Sequence, residues 1–414
     1  MESPRDLTDP RQNEAVLEFA SLLLDDPGTA VPAAVAAEAR AVARSRRRLA
    51  ALTDPVALTV VWAMYGETGR MATREEHAHG EDFVRVKVRQ LDWLTAGLPS
   101  VTWSILAVDD GCPDQPSSAE MMAGIAAAED YPTAGHRAVS VVRLADVIAD
   151  GPSIGPAFDA LTSPDQSRKG GSILAGLAHA VAAGAQIVCY TDADLSANLA
   201  MLGTLAAPIV EGDGVVAALG QRYGMEGAVL VKADGPSVEP QSTGDKPDKL
   251  IVLFRHFVRA MLVPDLAHVL DTQAGFKAFD AAALAPVLPQ MTSFDETFDV
   301  ELLIHVAQTS GAHALAVEPI VFTEDFAATN FPSVDPGKRH LAMVEQVVGL
   351  YDRLVAPVAP ATGEAAELLD LLRTLDLESY VRLIEALRAE DKGDPTLFDR
   401  RWGVEHLRTI VAGK

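Results

Sequence analysis

Two carboxylates, Asp192 and Asp194, close an apolar run in the segment Ala185-Gln-Ile-Val-Cys-Tyr-Thr-Asp-Ala-Asp194. A stretch of β-prone residues ending in Asp-x-Asp reads as a buried strand that delivers acidic side chains at its carboxyl end. In open α/β sheets that is the end where ligands bind. Two hard oxygen ligands at this spacing suit Mg²⁺ or Mn²⁺ shared with a diphosphate, since such a cation takes one or two carboxylates and completes its shell with phosphate and water. An isolated Asp-x-Asp is more often a solvated turn, so its meaning depends on the residues brought to the same place.

Those residues recur at the ends of further apolar runs. A first strand ends in Tyr65-Gly-Glu67 and a second in Val108-Asp-Asp-Gly-Cys112. Arg168-Lys-Gly-Gly-Ser172 opens a helix, and a helix start with glycines and a lysine is an anion seat. Gly220-Gln-Arg222, Asp271-Thr-Gln-Ala-Gly-Phe-Lys277 and Phe298-Asp-Val-Glu-Leu-Leu303 follow. A nucleoside diphosphate leaves poorly unless its developing charge is neutralised by a cation. A hydroxyl group attacks poorly unless a carboxylate takes its proton. Each piece also has a plain reading: Asp109-Asp-Gly111 as a turn, Lys169-Gly-Gly171 as an ordinary loop, Asp299 as a carboxylate at a helix start.

Taken in order, the pieces resemble the family 2 glycosyltransferases of the GT-A fold, nearest the dolichyl-phosphate glucosyltransferase and polyprenyl-phosphate glycosyltransferase branch. The matching segments are Tyr65-Gly-Glu67, Asp109-Asp-Gly111, Lys169-Gly-Gly171, Asp192-Ala-Asp194, Gly220-Gln-Arg222, Asp271 to Lys277 and Phe298-Asp-Val-Glu-Leu302, over about residues 57–325. Gly66 stands where the family has Asn, and the 66–80 segment is unusual. The resemblance implies that Tyr65, Glu67 and Asp109 line the nucleotide base and ribose. Asp110 and Lys169 would lie near ribose and diphosphate, Asp192 on the sugar or ribose side, and Asp194 on the metal. Arg222 and Lys277 would balance phosphate charge, Gly275 would let the backbone pass close to the sugar, and Asp299 would be the general base. The implied activity is inverting, metal-dependent transfer of a hexose from a nucleotide diphosphate sugar, with uridine favoured, to a soluble hydroxyl acceptor. A polyprenyl phosphate is the alternative acceptor and a sugar nucleotidyltransferase the alternative enzyme. The latter expects a Gly-rich loop with Arg and Lys after the first strand, where this chain has Tyr65-Gly-Glu-Thr-Gly-Arg-Met71.

The whole chain frames this reading. It has 414 residues, 49% of them hydrophobic, with a formal net charge of −24, so it suits a globular protein and not a nucleic-acid binder. Two cysteines, Cys112 and Cys189, imply no disulfide framework and a reducing compartment. The polar start and the lack of a long uncharged apolar run point to a cytoplasmic protein without a transmembrane segment.

The expected fold class is α/β, a GT-A domain with a mostly parallel, Rossmann-like nucleotide-sugar-binding sheet over residues 56–335. Helical extensions are expected over 1–55 and 336–414, packed on that domain or forming a homodimer contact; removal of residues 1–50 is expected to leave donor binding intact. Strands are expected over 55–64, 101–108, 138–148, the apolar run 185–189 leading into Asp-x-Asp, 214–219, 227–231 and 312–323, with helices over 75–96, 170–183, 198–210, 250–262 and 299–309 between them. Two polar, Pro/Gly/Ser/Asp-rich loops span 150–169 and 232–249.

Three side candidates remain. The Arg44-Ser-Arg-Arg-Arg48 run reads as a solvated helix face, or else a phosphate or partner site. His77 and His79 read as loop histidines, or else as zinc ligands or a gate at the acceptor. Arg255, His256 and Arg259 lie on an amphipathic helix that reads as a core helix, or else as a seat for an acceptor phosphate or a lipid surface.

Overall fold

The structure, a computed structural model, describes residues 9–150, 156–167, 169–222, 228–231, 249–295, 297–324, 336–390 and 402–413. Arg168 and nearly all of the loop expected over 232–249 lie outside these. The chain divides into two compact units, one of Met1–Pro240 with Gln273–Thr329 and one of Gln241–Thr272 with Asn330–Lys414.

The first unit opens with helices α1 (Pro10–Asp25) and α2 (Ala36–Ala51). Asp9 caps α1 and Pro10 takes its first position, a standard start. Then come β1 (Val56–Met64), the short α3 (Thr68–Met71), α4 (Phe83–Thr95), β2 (Val101–Asp109), α5 (Ser118–Ala128), β3 (Ala138–Arg143) and α6 (Leu144–Ala149). Next are α7 (Gly170–Ala182), β4 (Ile187–Thr191), α8 (Leu202–Val210), β5 (Ala217–Gln221) and β6 (Ala228–Val231). After the excursion into the second unit come β7 (Phe276–Asp280), α10 (Ala281–Leu284), α11 (Phe298–Ser310), β8 (Leu315–Pro319) and β9 (Val321–Glu324).

Among the described residues seven strands form one sheet in the order β3-β2-β1-β4-β7-β5-β8, and β6 pairs with β9 in a second. Every pairing in the main sheet is parallel except those of β7, which runs antiparallel to β4 and β5. The mostly parallel, helix-covered sheet of the GT-A reading is therefore present. After β1 the chain builds outward through β2 and β3, then returns to place β4 on the other side of β1. That reversal is a topological switch point, and the crevice beyond the carboxyl ends of β1 and β4 is where such a sheet takes a ligand. Because β7 is antiparallel, its first residues lie at that same edge: Phe276 sits opposite Thr191 and Lys277 opposite Tyr190.

Three expectations change. The strand expected over 138–148 stops at Arg143, where a Leu-Ala-Asp-Val-Ile-Ala stretch begins α6 with Asp146 in its first turn. The strand expected over 312–323 is two, β8 in the main sheet and β9 in the second. They part after Pro319, which has no N–H to offer a ladder. The helix expected from residue 75 starts at Phe83; the preceding segment is α3 and a turn, with Asp82 in the left-handed region at φ 48°.

Helices α1 and α2 belong to the body of the first unit. Val16, Leu17, Ala20, Ala39, Val42 and Leu49 share one apolar core with Leu58, Val60 and Trp62 of β1, and with Leu202 and Leu205 of α8. Arg44 and Arg47 are exposed, as a solvated helix face requires, yet three arginines of the run also bind the fold. Arg46 donates to the carbonyls of Trp93 and Ala96, 2.7 Å each, at the end of α4 and lies 4.8 Å over the Trp93 ring. Arg47 donates to the Leu23 carbonyl near the end of α1, and Arg48 pairs with Glu318 at 2.7 Å. Arg46 and Arg47 satisfy orphan carbonyls at helix ends.

The second unit is helical: α9 (Lys249–Leu262), α12 (Pro336–Leu350), α13 (Glu364–Arg373), α14 (Leu377–Glu390) and α15 (Val404–Val411). Phe254 and Phe257 of α9 pack with Tyr380 and Trp402, ring centres 5.4 to 6.3 Å apart. Arg259 is buried and donates to the carbonyls of Val269 and Leu270 and to Thr272 Oγ1. Burial lowers its pKa to about 9. Arg255 donates to Met343 Sδ at 3.0 Å. The core-helix reading of α9 fits, and Arg259 is not disposed for a lipid surface.

Candidate active site

Asp192 and Asp194 leave the carboxyl end of β4 as the sequence predicts. The Asp192 N–H donates to the Gly275 carbonyl at 3.2 Å, which ties this loop to the start of β7. A Cβ on Gly275 would come within 2.5 and 2.6 Å of the two Asp192 carboxylate oxygens. Glycine at 275 is therefore what gives the Asp192 side chain its place.

Lys169, just ahead of α7, pairs through its ammonium with Asp192 Oδ1. Burial works to raise the Asp192 pKa, but Lys169, then Arg222 and Lys87, outweigh it and hold the carboxyl below its ordinary value. For Lys169 desolvation pulls downward and Asp192, Asp299 and Asp194 pull upward, leaving it raised. The Lys-Gly-Gly turn is fastened from the end of β2. Asp110 accepts from the Lys169 N–H at 2.9 Å and from Ser172 Oγ at 2.6 Å. A Cβ at Gly170 would lie 2.7 Å from backbone atoms of Phe294 and Asp295, so the close approach requires glycine. Asp109 accepts from the N–H groups of Gly111, Cys112 and Ala119, shaping the turn after β2 and the start of α5. Both carboxylates of the Asp-Asp-Gly motif thus organise the surrounding turns.

Asp299 opens α11 and is almost wholly buried, with Oδ1 3.1 Å from Lys277 Nζ. Burial pushes the Asp299 carboxyl well above the ordinary range, against the opposing pull of Lys169. Lys277 also donates to the Ala274 carbonyl at 2.5 Å and lies 5.0 Å over the Tyr190 ring. Asp192, Lys169, Asp299 and Lys277 thereby form one electrostatic group drawn from the ends of β4, α7, α11 and β7. Glu301, two residues along, accepts from Thr292 and Ser293 and holds the turn before α11.

The remaining expected residues lie around this group. Tyr65 follows β1 and is 51% exposed. Glu67 is buried and accepts from Arg70 at 2.7 Å; burial outweighs Arg70 and leaves its pKa raised. Arg222 follows β5, its guanidinium 4.9 Å over the Phe322 ring. Beyond β2 and β3 a cavity of about 230 Å³ is lined by Asp109, Cys112, Gln115, Ser117, Glu120 and Arg143.

Sequence reasoning missed the supports. Arg70 and Glu81 stand in the unusual segment after β1. Fully buried Glu81 accepts from the Leu195 N–H at 2.9 Å, next to Asp194. Asn198 donates to Glu38 of α2 at 2.7 Å, and Leu199 N–H to Gln90 of α4 at 2.8 Å. Burial pushes the Glu38 carboxyl up to about 7 despite its bond to Asn198. These are isolated polar residues within helices and loops, and no spacing rule marks them. His77 and His79 lie 5.9 Å apart, with His79 N–H donating to His77 Nδ1 at 3.2 Å.

Among the described residues no group of three or more His, Cys, Asp and Glu side chains is placed to enclose a metal. Asp192 and Asp194 offer carboxylate oxygen only. That donor set does not suit zinc; it fits a hard cation that completes its shell with phosphate and water. No described helix is long and apolar enough to cross a membrane.

No family model matches this chain, and no curated protein does. It is similar to solved structures of glucosyl-3-phosphoglycerate synthase from Mycobacterium tuberculosis. One shares 18% identity over 76% of this chain and 84% of that chain with a TM-score of 0.45. Others are described in complex with UDP, at 18% identity over 75% and 82% and a TM-score of 0.44, and with Mn²⁺, UDP and glucosyl-3-phosphoglycerate, at 18% over 76% and 84% and a TM-score of 0.44. The enzymes named are not of the polyprenyl-phosphate branch to which the motifs pointed. At this identity and TM-score the likeness carries no activity across.

Proposed function

We propose that the chain is an inverting hexosyltransferase that uses a nucleotide diphosphate sugar, a UDP-sugar by preference, a Mg²⁺ or Mn²⁺ ion and a small soluble hydroxyl acceptor. The observation that carries this reading is the pair of contacts at the switch point of the sheet, Lys169 with Asp192 of the Asp-x-Asp loop and Lys277 with the candidate base Asp299, whose carboxyl pKa the Lys169 charge also pulls down against burial. A cation held by Asp194 and Asp192 supplies Lewis-acid neutralisation of the diphosphate when bound. Lys169 and Arg222 add fixed positive charge on the leaving side. The acceptor oxygen forms a bond to the anomeric carbon while the bond from that carbon to the diphosphate oxygen breaks. The hydroxyl proton passes to Asp299 and the nucleoside diphosphate departs. A carboxylate whose pKa is raised is a stronger base and suits this role. A phosphate acceptor is already ionised and has little use for it, which favours the hydroxyl. Tyr65 and the cavity beside Asp109 are proposed to hold the base and ribose.

The test is a thermal-shift panel of nucleoside diphosphates with Mn²⁺, followed by product analysis with the UDP-sugars. The reading requires Mn²⁺-dependent stabilisation by UDP, its loss in Asp194→Asn, and release of nucleoside diphosphate. Release of pyrophosphate would instead indicate a nucleotidyltransferase and sink the assignment.

A further inference from the structure

Lys87 lies on α4 with its side chain fully buried, and its ammonium has no hydrogen-bond partner among the described residues. It sits 5.6 Å over the ring of Trp62, a core residue of β1. A buried ammonium without hydrogen bonds is costly, and an apolar residue of similar volume would commonly serve the fold as well or better. Something other than packing must account for a charge there. The charges that face it are Asp194, Asp192 and Glu81, whose pull only partly offsets burial and leaves its pKa lowered to about 8. Arg70 senses Asp194 as well, from α3. Lys169 holds Asp192 from a partly exposed position, whereas Lys87 is fully buried over Trp62, the residue after Val61, which pairs with Tyr190 two residues ahead of Asp192.

We propose that Lys87 is a positioning residue for Asp192 and Asp194, a fixed counter-ion that makes the site take up a divalent cation together with a nucleoside diphosphate in preference to the cation alone. The inference rests on the function proposed above. Two bare carboxylates attract any divalent cation. A positive charge fixed near them opposes a bare cation, whereas a complex of that cation with a diphosphate remains net anionic and is favoured by the same charge. Lys87 touches neither substrate nor metal in this scheme; it sets the potential and the resting arrangement of the residues that do.

The experiment uses the full-length protein, with Mn²⁺ alone and Mn²⁺ with UDP as probes. Free Mn²⁺ is read by electron paramagnetic resonance, UDP binding by calorimetry, and folding by circular dichroism. In Lys87→Met, Mn²⁺ alone is expected to bind at least ~5-fold more tightly, while UDP in the presence of Mn²⁺ binds no better than in the wild type. A residue of merely structural importance would move neither ratio. Lys87→Gln keeps a polar side chain and decides the matter if the methionine variant does not fold; the same tightening is expected. Unchanged or weaker Mn²⁺ binding in a folded variant overturns the inference while leaving the transferase reading in place. Absence of Mn²⁺-dependent UDP binding in the wild type overturns both.

Discussion

Lys277 Nζ stands 3.1 Å from Asp299 Oδ1 where the first residues of β7 meet the first turn of α11, with both side chains withdrawn from solvent. The pair is what allows a carboxylate to exist at that depth. Burial pushes Asp299 well above its ordinary value, so its charged form appears only as pH rises through that raised pKa. Turnover should therefore climb with pH along an alkaline-shifted limb, and Lys277→Met should move that limb further up. The stability contribution has the opposite slope: folding favours protonated Asp299, so its contribution is full below the ordinary carboxylate range and is lost as pH rises through the raised value. A kcat–pH profile of both proteins checks this. An acid limb at an ordinary carboxylate pKa would contradict it.

Asp299→Asn preserves the shape and removes the proton acceptor. With a hydroxyl acceptor it should leave donor affinity near normal and cut turnover by at least ~10²-fold, the scale of a lost general base. Near wild-type transfer to a polyprenyl phosphate by this variant would refute the soluble-acceptor preference. Arg259, engaged with carbonyls in the second unit, would not explain it.

Gly275→Ala places a methyl group against both Asp192 oxygens. The carboxylate must swing away from Lys169 or the strand must shift. A displacement of this size at a reacting site costs roughly 10²-fold in rate, with about 1–3 kcal/mol of stability. Steady-state kinetics beside a denaturation curve separates the two. A variant with full activity would show that the Asp192 position is not critical.

Cys112 lines the cavity beside Asp109, whereas Cys189 is buried in β4 with its thiol pushed up to about 12 by desolvation. A maleimide should label one thiol in the native protein. If the cavity holds the base, UDP with Mn²⁺ should slow that labelling several-fold by occluding it. Peptide mapping identifies the site, and labelling unaffected by saturating UDP would remove the cavity from the donor site.

The strand ends and glycine turns of the site were legible in the sequence because they obey local rules: an apolar run stops, and Asp, Lys or Gly stands at the stop. Asp192 and Lys169 needed no more than that, whereas local rules gave Asp299 only as a carboxylate at a helix start and the family resemblance singled it out. The antiparallel β7 was not legible, since a short run after a Gly-Phe turn carries no direction. Nor was α5, though Ser117 and Glu120 form a capping box at its start. The role of Asp109 and Asp110 was hidden for a different reason. A motif gives residue type, but whether a carboxylate faces ligand or backbone depends on N–H groups brought from α5 and the start of α7. Arg46, Gln90 and Glu38 were invisible because each finds its partner far along the chain, at Trp93, Asn13 and Asn198. Lys87 was invisible because no spacing announces a buried cation.

The first two helices carry a prediction contrary to the sequence-based expectation that residues 1–50 can be removed. Asn13 of α1 accepts from Gln90 at 2.8 Å, Gln90 accepts from the Leu199 N–H, and Glu38 of α2 accepts from Asn198. These bonds fix the chain shortly beyond Asp194. Removing 1–50 strips Val16, Ala39, Val42 and Leu49 from the core and takes away the buried partners Asn13 and Glu38. Each orphaned polar group costs about 1–3 kcal/mol, and whole-domain stability is on the order of 5–15 kcal/mol. The truncated chain should be insoluble or unfolded. A gentler probe keeps the core and cuts one bond: Glu38→Leu should leave a folded protein whose Mn²⁺-dependent UDP binding is weakened, because Asn198 no longer holds the loop. A truncated chain that folds and binds UDP like the full protein would show that the loop after Asp194 holds its shape without α1 and α2.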